Sequence, residues 1–199
     1  MIRVVGGIVV LGILLSLLNP TAAALTPFAL YTVLTNGPYS AVLPAAYEPV
    51  LLLYGQLFPP LLIGVLGTLA TVLIEWVNYR LYGYARDTRT GRTLTGGPRV
   101  QRLTRLFARF PFLAIVVCAL GLVPYSVARC LSVLSRYPVN RHLIATAVGR
   151  FPRLWAIAVL GVSLALPASF LLGAVLFGFA FAAAAWLLGR GASLVSQSA

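Results

Sequence analysis

Three ionisable side chains stand inside apolar stretches of this 199-residue chain, where a charge is costly. Glu48 and Glu75 are two of its three acidic residues, and Arg129 lies in the second half of a long apolar run. A carboxylate in such a place can accept a proton, and a guanidinium can bind a phosphate group through paired hydrogen bonds. These residues therefore indicate either a pathway for protons or lipid headgroups, or a structural ion pair.

Glu75 and Arg129 are expected to pair. Glu75 comes five residues before Arg80 and Arg129 comes seven before Arg136, so both lie about 7–10 Å inside the same membrane face. The pair has two interpretations. It is a structural salt bridge, or it belongs to a polar seam, extended by Asn78, along which a lipid phosphate moves with Arg129 as its ligand.

Glu48 is ambiguous in the same way. It precedes Pro49, where a carboxylate can cap the free N–H groups at the start of a helix. The alternative is a proton or headgroup site near the middle of the membrane. If Glu48 is such a site, the predicted substrate or proton pathway comprises Glu48, Glu75, Asn78 and Arg129.

The composition identifies the class of protein. Hydrophobic residues make up 60% of the chain, charged residues only 9%, and the mean hydropathy is +0.96. Soluble domains carry about 25% charged residues, so the sequence predicts a polytopic membrane protein. The charge of +12 comes from arginines alone, and topology with anionic lipid headgroups explains it better than nucleic acid does.

Enzymatic chemistry is not indicated. His142 is the only histidine and stands among arginines, Asp87 is the only aspartate, and neither GxSxG nor HExxH occurs. We therefore expect no catalytic residue, no metal and no cofactor. The expected partners are membrane lipids, and the sequence leaves a homo-oligomer open.

The run 110–136 is predicted to enter the membrane and return on the same side. Eight arginines stand between residues 80 and 109, and four more between 136 and 153. Short basic loops face the cytoplasm, so a simple crossing would place these clusters on opposite sides. A hairpin with its tip at Pro124 and Tyr125 keeps both inside, with arms of about 12 residues, or ~18 Å, each too short to span.

Residues 38–60 are predicted to form another re-entrant hairpin, which enters from the outer face. Five prolines interrupt this segment, too many for one straight helix, and no basic residue flanks it. Pro44 and Pro49 mark its expected tip. One hairpin from each side, each beside a full span, makes an inverted repeat, a pattern typical of transporters whose site lies near the midplane.

The predicted fold is all-α, with two re-entrant helical hairpins and about four full spans. A transmembrane helix or cleavable signal peptide precedes a single membrane domain at 25–199. Fourteen of the fifteen arginines fall in the cytoplasm, only Arg129 lies in the membrane, and the location is the inner (plasma) membrane. The segments in order are an N-terminal helix (1–24), the first hairpin (38–60), a span (61–83), the basic loop (84–109), the second hairpin (110–136) and the C-terminal spans (137–190).

The basic loop ends in an expected amphipathic helix that begins at Pro98. Apolar residues follow one face and arginines the other, as suits a helix lying at the membrane interface. It is a topological anchor or a specific lipid site. The arginines expected to contact lipid headgroups, in this helix and beyond it, are Arg102, Arg105, Arg109, Arg136, Arg150 and Arg153.

Residues 40–165 resemble the VTT-domain proteins, the DedA superfamily or SNARE-associated Golgi-like proteins. The stretches AAYEPVLLLYGQLFPP and GVLGTLATVLIEWVNY are similar to the first half of the family, and the run from ARFPFLAIVV to VGRFPR to the second half. The second half has a Pro-aromatic tip (Pro124, Tyr125), then Arg129, then a Gly-x-x-Pro element formed by Gly149 and Pro152.

The resemblance implies lipid movement: scrambling of phospholipids or return of polyprenyl-phosphate carriers, in some members with proton dependence. It places the family's roles on Glu48, Glu75, Pro124 and Arg129. Members often carry another arginine a few residues inside the second hairpin, where this chain reads FLAIVVCALG. The expected function is therefore a lipid transporter or scramblase, and the alternative is a membrane scaffold in which the buried charges are structural.

Overall fold

A computed structural model describes residues 19–37, 47–88, 97–121, 123–177 and 180. These residues form eight helices and no strand, so the expected all-helical class is confirmed for them. The helices are α1 (Pro20–Asn36), α2 (Tyr47–Leu57), α3 (Pro60–Asp87), α4 (Pro98–Phe107), α5 (Pro111–Ala119), α6 (Tyr125–Leu134), α7 (Val139–Leu164) and α8 (Ala168–Phe177).

Two of these helices, α3 and α7, are long and apolar enough to cross a membrane. They have 28 and 26 residues. At 1.5 Å per residue they measure about 42 and 39 Å, more than the ~30 Å hydrocarbon core. Each follows a proline with nearly the same backbone, Pro59 (φ −52°, ψ 126°) and Pro138 (φ −56°, ψ 126°). A proline there ends the preceding short helix and permits a new one to start.

Three short helices accompany the long ones. α2, α5 and α6 have 11, 9 and 10 residues, so each is about 14–17 Å long. α5 and α6 pack against each other, and the turn between them contains Gly121. Gly121 has φ 95°, which favours glycine. Pro124 and Tyr125 begin α6, so they stand at the tip of this helical pair as expected.

The first expected hairpin is described only in its second half. Residues 38–46, with Pro44, lie outside the described residues, and Pro49 stands in the first turn of α2. The expected N-terminal helix at 1–24 lies outside them up to residue 18. α1, which the sequence analysis did not predict, packs along α3.

α7 runs through the centre of the helical packing and contacts α2, α3 and α5. Two glycines permit this closeness. A Cβ added to Gly161 would meet the backbone of Leu52 in α2, and one added to Gly149 would lie 2.6 Å from the Val116 carbonyl oxygen in α5. Small residues let helix backbones approach closely in membranes.

One predicted boundary differs from the structure. α7 begins at Val139 and continues through Pro152, whereas the arginines from 136 to 153 were expected in a short basic loop. Arg150 and Arg153 therefore lie near the middle of a span-capable helix and not in a basic loop. The reason is tertiary packing: Arg150 is buried against the ring of Tyr125 and the partly buried Arg153 pairs with Glu48, and neither contact can be read from the arginine count along the sequence.

Candidate functional site

Glu75 and Arg129 form a buried ion pair between α3 and α6. The exposed fraction is 0% for Glu75 and 3% for Arg129. Arg129 donates from Nη2 to Glu75 Oε2 at 2.7 Å and from Nε to Oε1 at 2.9 Å. The predicted pairing is confirmed, and its two parallel hydrogen bonds are the strong geometry for a guanidinium and a carboxylate.

The same carboxylate is shared with a histidine on α7. His142 is fully buried, and its Nε2 lies 3.1 Å from Glu75 Oε1. Its Nδ1 lies 3.0 Å from the hydroxyl of Ser132 on α6. Glu75 thus joins three helices, with one oxygen between Arg129 and His142.

The C-terminal end of α1 completes this arrangement. The carbonyl oxygen of Asn36 accepts from Arg129 Nη2 at 3.2 Å and from Asn78 Nδ2 at 2.9 Å. Carbonyls in the last turn of a helix carry partial negative charge and lack helical partners, so they suit a cation. Asn78 is fully buried and also lies 3.4 Å from Glu75 Oε2. We call Asn36, Glu75, Asn78, Arg129 and His142 the ionic network.

Tyr125 connects the ionic network to a second arginine. Its hydroxyl lies 2.6 Å from Thr146 Oγ1 and 3.3 Å from His142 Nε2. Its ring lies close to two guanidiniums, with the Cζ atoms of Arg129 and Arg150 at 5.5 and 5.0 Å from the ring centroid. The residue expected only at a hairpin tip therefore lies at the centre of the site.

Arg150 is buried without a counter-ion. Its exposed fraction is 8%, and its Nε has no hydrogen-bond partner. No hydrogen bond or ion pair joins its guanidinium to any residue in the described parts of the chain; the aromatic face of Tyr125 is its contact. A buried cation without a carboxylate is expensive, and such residues mark functional sites in membrane proteins.

Arg153, one turn further along α7, links the two short-helix regions. Its Nη2 donates to Glu48 Oε1 at 2.6 Å, in the first turn of α2. Its guanidinium also lies against Gly121, where an added Cβ would be only 2.6 Å from Nη1. The start of α2 and the tip of the α5–α6 pair thus meet at Arg153. Glu48 therefore forms its ion pair with Arg153 and takes no part in the ion pair of Glu75 with Arg129.

The other predicted headgroup residues lie at the surface. Arg102 and Arg105 are exposed on α4, Arg109 follows that helix, and Arg136 follows α6. α4 has the predicted amphipathic character: Phe107 is buried against the helical body, while Leu103 and Leu106 are 51% and 68% exposed. The lipid-contact role of these arginines remains a prediction.

His142, Thr146 and Arg150 are the site residues that the sequence analysis missed or assigned elsewhere. They recur with Arg153 at spacings of four, four and three residues, the period of one helical face. This helical spacing can be read from the sequence, but it was overlooked because 137–153 was assigned to a basic loop. Asn36 contributes only its carbonyl oxygen, which no residue type reveals.

Comparison with known proteins gives one match. A family model described as the VTT domain matches residues 43–163, more than half of the chain. This range contains α2 through most of α7, with Glu48, Glu75, Arg129 and Arg150. No curated protein and no solved structure matches the chain.

Proposed function

The chain belongs to the VTT-domain family, a family of membrane proteins, and from this premise we propose that it moves a phosphate-bearing lipid between the leaflets of a membrane. The observation that carries the proposal is Arg150, a buried guanidinium without an anion. A phosphate group is the ligand that a guanidinium binds best, through two parallel hydrogen bonds. We assign the phosphate-binding role to Arg150 and not to Arg129, because Arg129 is already occupied by Glu75 and Asn36.

The position of Arg150 supports this role. It is eleven residues from Val139 and fourteen from Leu164, so roughly 17 and 21 Å from the two ends of α7. In the proposed arrangement α3 and α7 span the membrane, and the α5–α6 pair enters and returns. The region containing α2 forms the opposite hairpin. Broken helices that meet at mid-depth are the usual setting of a transporter site.

Further parts of the proposal concern location and partners. The protein is a multi-pass protein of the inner membrane with its arginine-rich loops in the cytoplasm, and it is not an enzyme. Its partners are anionic phospholipids or polyprenyl phosphates. A proton that drives transport would act at Glu75, because Arg129 and His142 both contact its carboxylate oxygens.

A structural scaffold is the second candidate, and one observation favours it. Both oxygens of Glu75 are engaged by Arg129, and His142 and Asn78 complete the arrangement. A closed ion pair of this kind is what a purely structural role requires. Arg150 distinguishes the two candidates, because a scaffold has no use for a buried cation left without an anion.

The test is lipid translocation by the purified protein in liposomes. Fluorescent phosphatidylglycerol is distributed over both leaflets, and dithionite added outside destroys only the outer fluorescence. A scramblase brings the inner pool outward, so the protected half of the fluorescence falls well below 50% within minutes. A plateau near half, as in protein-free vesicles, supports the scaffold. Parallel vesicles with fluorescent polyprenyl phosphate and with phosphate-free glucosylceramide identify the headgroup requirement.

A further inference from the structure

A cavity of about 850 Å³ opens where the last turn of α3, α4 and the end of α6 meet. It lies about eleven residues, or ~17 Å, along α3 from Glu75 and is separate from the ionic network. Its size falls in the range of small-molecule sites, about 300–1,000 Å³. The polar residues that line it are Arg86, Asp87, Gln101, Thr104, Arg105 and Arg136.

The cavity has an excess of positive charge. Arg86 donates from Nε and Nη2 to the adjacent Asp87 at 2.9 and 3.0 Å, so the single carboxylate in the lining is neutralised. The Nη1 of Arg86 donates to the Val133 carbonyl at 2.7 Å, which fixes this pair against the end of α6. Within the described residues, the guanidiniums of Arg105 and Arg136 make no hydrogen bond and no ion pair. Two arginines thus line the cavity with their charges uncompensated.

These two arginines come from different elements, which matters for the kind of anion. Arg105 stands on α4 and Arg136 follows α6, so they lie on different walls of the cavity. Two guanidiniums on separate walls can bind different oxygens of one tetrahedral anion. A single planar carboxylate fits this arrangement less well. Gln101 and Thr104, one turn apart on α4, add polar groups to the same space.

An amphipathic helix borders this cavity. α4 forms one of its walls and exposes Leu103 and Leu106, the apolar face suited to the membrane interface. Along α3, Tyr82 lies between Arg86 and Glu75, and its ring centroid is 5.8 Å from the Cζ of Arg129. Polar and aromatic groups therefore lead from the cavity toward the ionic network.

We propose that this cavity is a phosphate-binding site, with Arg105 and Arg136 as its ligands, in which a phosphate-bearing headgroup is held at the interface. The inference rests on the proposed function in one respect, namely that the bound phosphate belongs to a lipid. A soluble phosphate is the other source with the same chemistry. The site is distinct from Arg150, which lies in the middle of α7.

The test is equilibrium binding to the full-length protein in detergent. Dihexanoyl phosphatidic acid serves as the soluble lipid probe and inorganic phosphate as the free anion. The cavity variant is Arg105→Gln with Arg136→Gln. The matched control is Arg80→Gln with Arg141→Gln, which removes two exposed arginines outside the cavity and leaves the same net charge. We expect the dissociation constant for phosphatidic acid to rise roughly tenfold in the cavity variant and less than about twofold in the control.

Each outcome bears on the proposal. Equal weakening in both variants, or none in the cavity variant, would overturn it, because binding would then follow net charge alone. Phosphatidic acid bound more tightly than phosphate identifies a lipid site, and equal affinities identify a site for soluble phosphate. Thermal unfolding of both variants shows that they are folded. Failure of lipid translocation in liposomes would reject the proposed function and leave this binding result standing.

Discussion

Among the single residues of the site, one carboxylate and two arginines have markedly different surroundings: Glu75 pairs with Arg129, whereas Arg150 has no anion among the described residues. Depth counted from flanking arginines was enough to predict that Glu75 pairs with Arg129, because two buried opposite charges at one level have few other partners. The same count did not predict that His142 shares the carboxylate or that Arg150 lacks one. Those facts depend on which face of α7 meets α3 and α6.

Glu75→Gln is expected to lower the free energy of unfolding by about 3 kcal/mol, because it leaves the Arg129 guanidinium buried without its counter-ion. The measurement is a titration with sodium dodecyl sulfate from mixed micelles. Asp87→Asn is the control: that side chain is 59% exposed, so its pair with Arg86 contributes less than about 1 kcal/mol.

A double variant checks the stated cause of that loss. Replacing Arg129 as well, in Glu75→Gln with Arg129→Met, removes the orphaned charge and should restore at least half of the lost stability. The unpaired Arg129 guanidinium is not the cause of the loss if the double variant is less stable than Glu75→Gln alone. The same holds if Glu75→Gln lowers the free energy of unfolding no more than Asp87→Asn does.

At the scale of helices, α7 positions the site, and its course was the hardest feature to predict. The arginine distribution predicted a re-entrant hairpin at 110–136, and the structure has two short packed helices there with Pro124 and Tyr125 between them. The start of α7 did not follow, because Arg141, Arg150 and Arg153 have the composition of a basic loop. Only packing shows that two of them are covered.

Close helix crossings predict opposite effects for two glycine substitutions. Gly161→Ala should destabilise the protein by about 1–3 kcal/mol, since its Cβ would collide with the Leu52 backbone in α2. Gly83→Ala, in α3 with nothing within 4 Å of the added atom, should stabilise it by up to about 1 kcal/mol. Detergent unfolding measures both. A Gly161→Ala variant as stable as Gly83→Ala would show that α2 and α7 are not in close contact.

The re-entrant arrangement predicts that both ends of the α5–α6 pair face the same side of the membrane. In a background with Cys118→Ala and Cys130→Ala, the variants Arg109→Cys and Asn140→Cys place single thiols before α5 and at the start of α7. A membrane-impermeant maleimide should label both in inverted vesicles and neither in intact cells. Labelling from opposite sides would make 110–136 a simple crossing.

Across the whole molecule, the described parts contain two pairs of a short and a long helix, α2 with α3 and α6 with α7. Arg153 on α7 joins the start of α2 to the turn before α6. α2 and α6 each precede a proline and then a long helix, α3 or α7, and the two long helices pack together. Composition was enough to predict an all-helical chain, whereas the re-entrant course of the two hairpins and their inverted repeat stay predictions. The chemistry at the junction could not be predicted, because it depends on atoms from α1, α3, α6 and α7 that are distant in sequence.

The rate of phosphatidylglycerol translocation by Arg150→Gln in liposomes tests most directly whether Arg150 binds the lipid phosphate. Removing the unpaired guanidinium should slow the dithionite-detected rate by about tenfold or more, because a charge-assisted contact to phosphate is lost. Arg141→Gln, an exposed position on the same helix, is the matched control and should translocate like the unaltered protein. Unchanged translocation by a folded Arg150→Gln variant would contradict the claim that Arg150 binds the lipid phosphate.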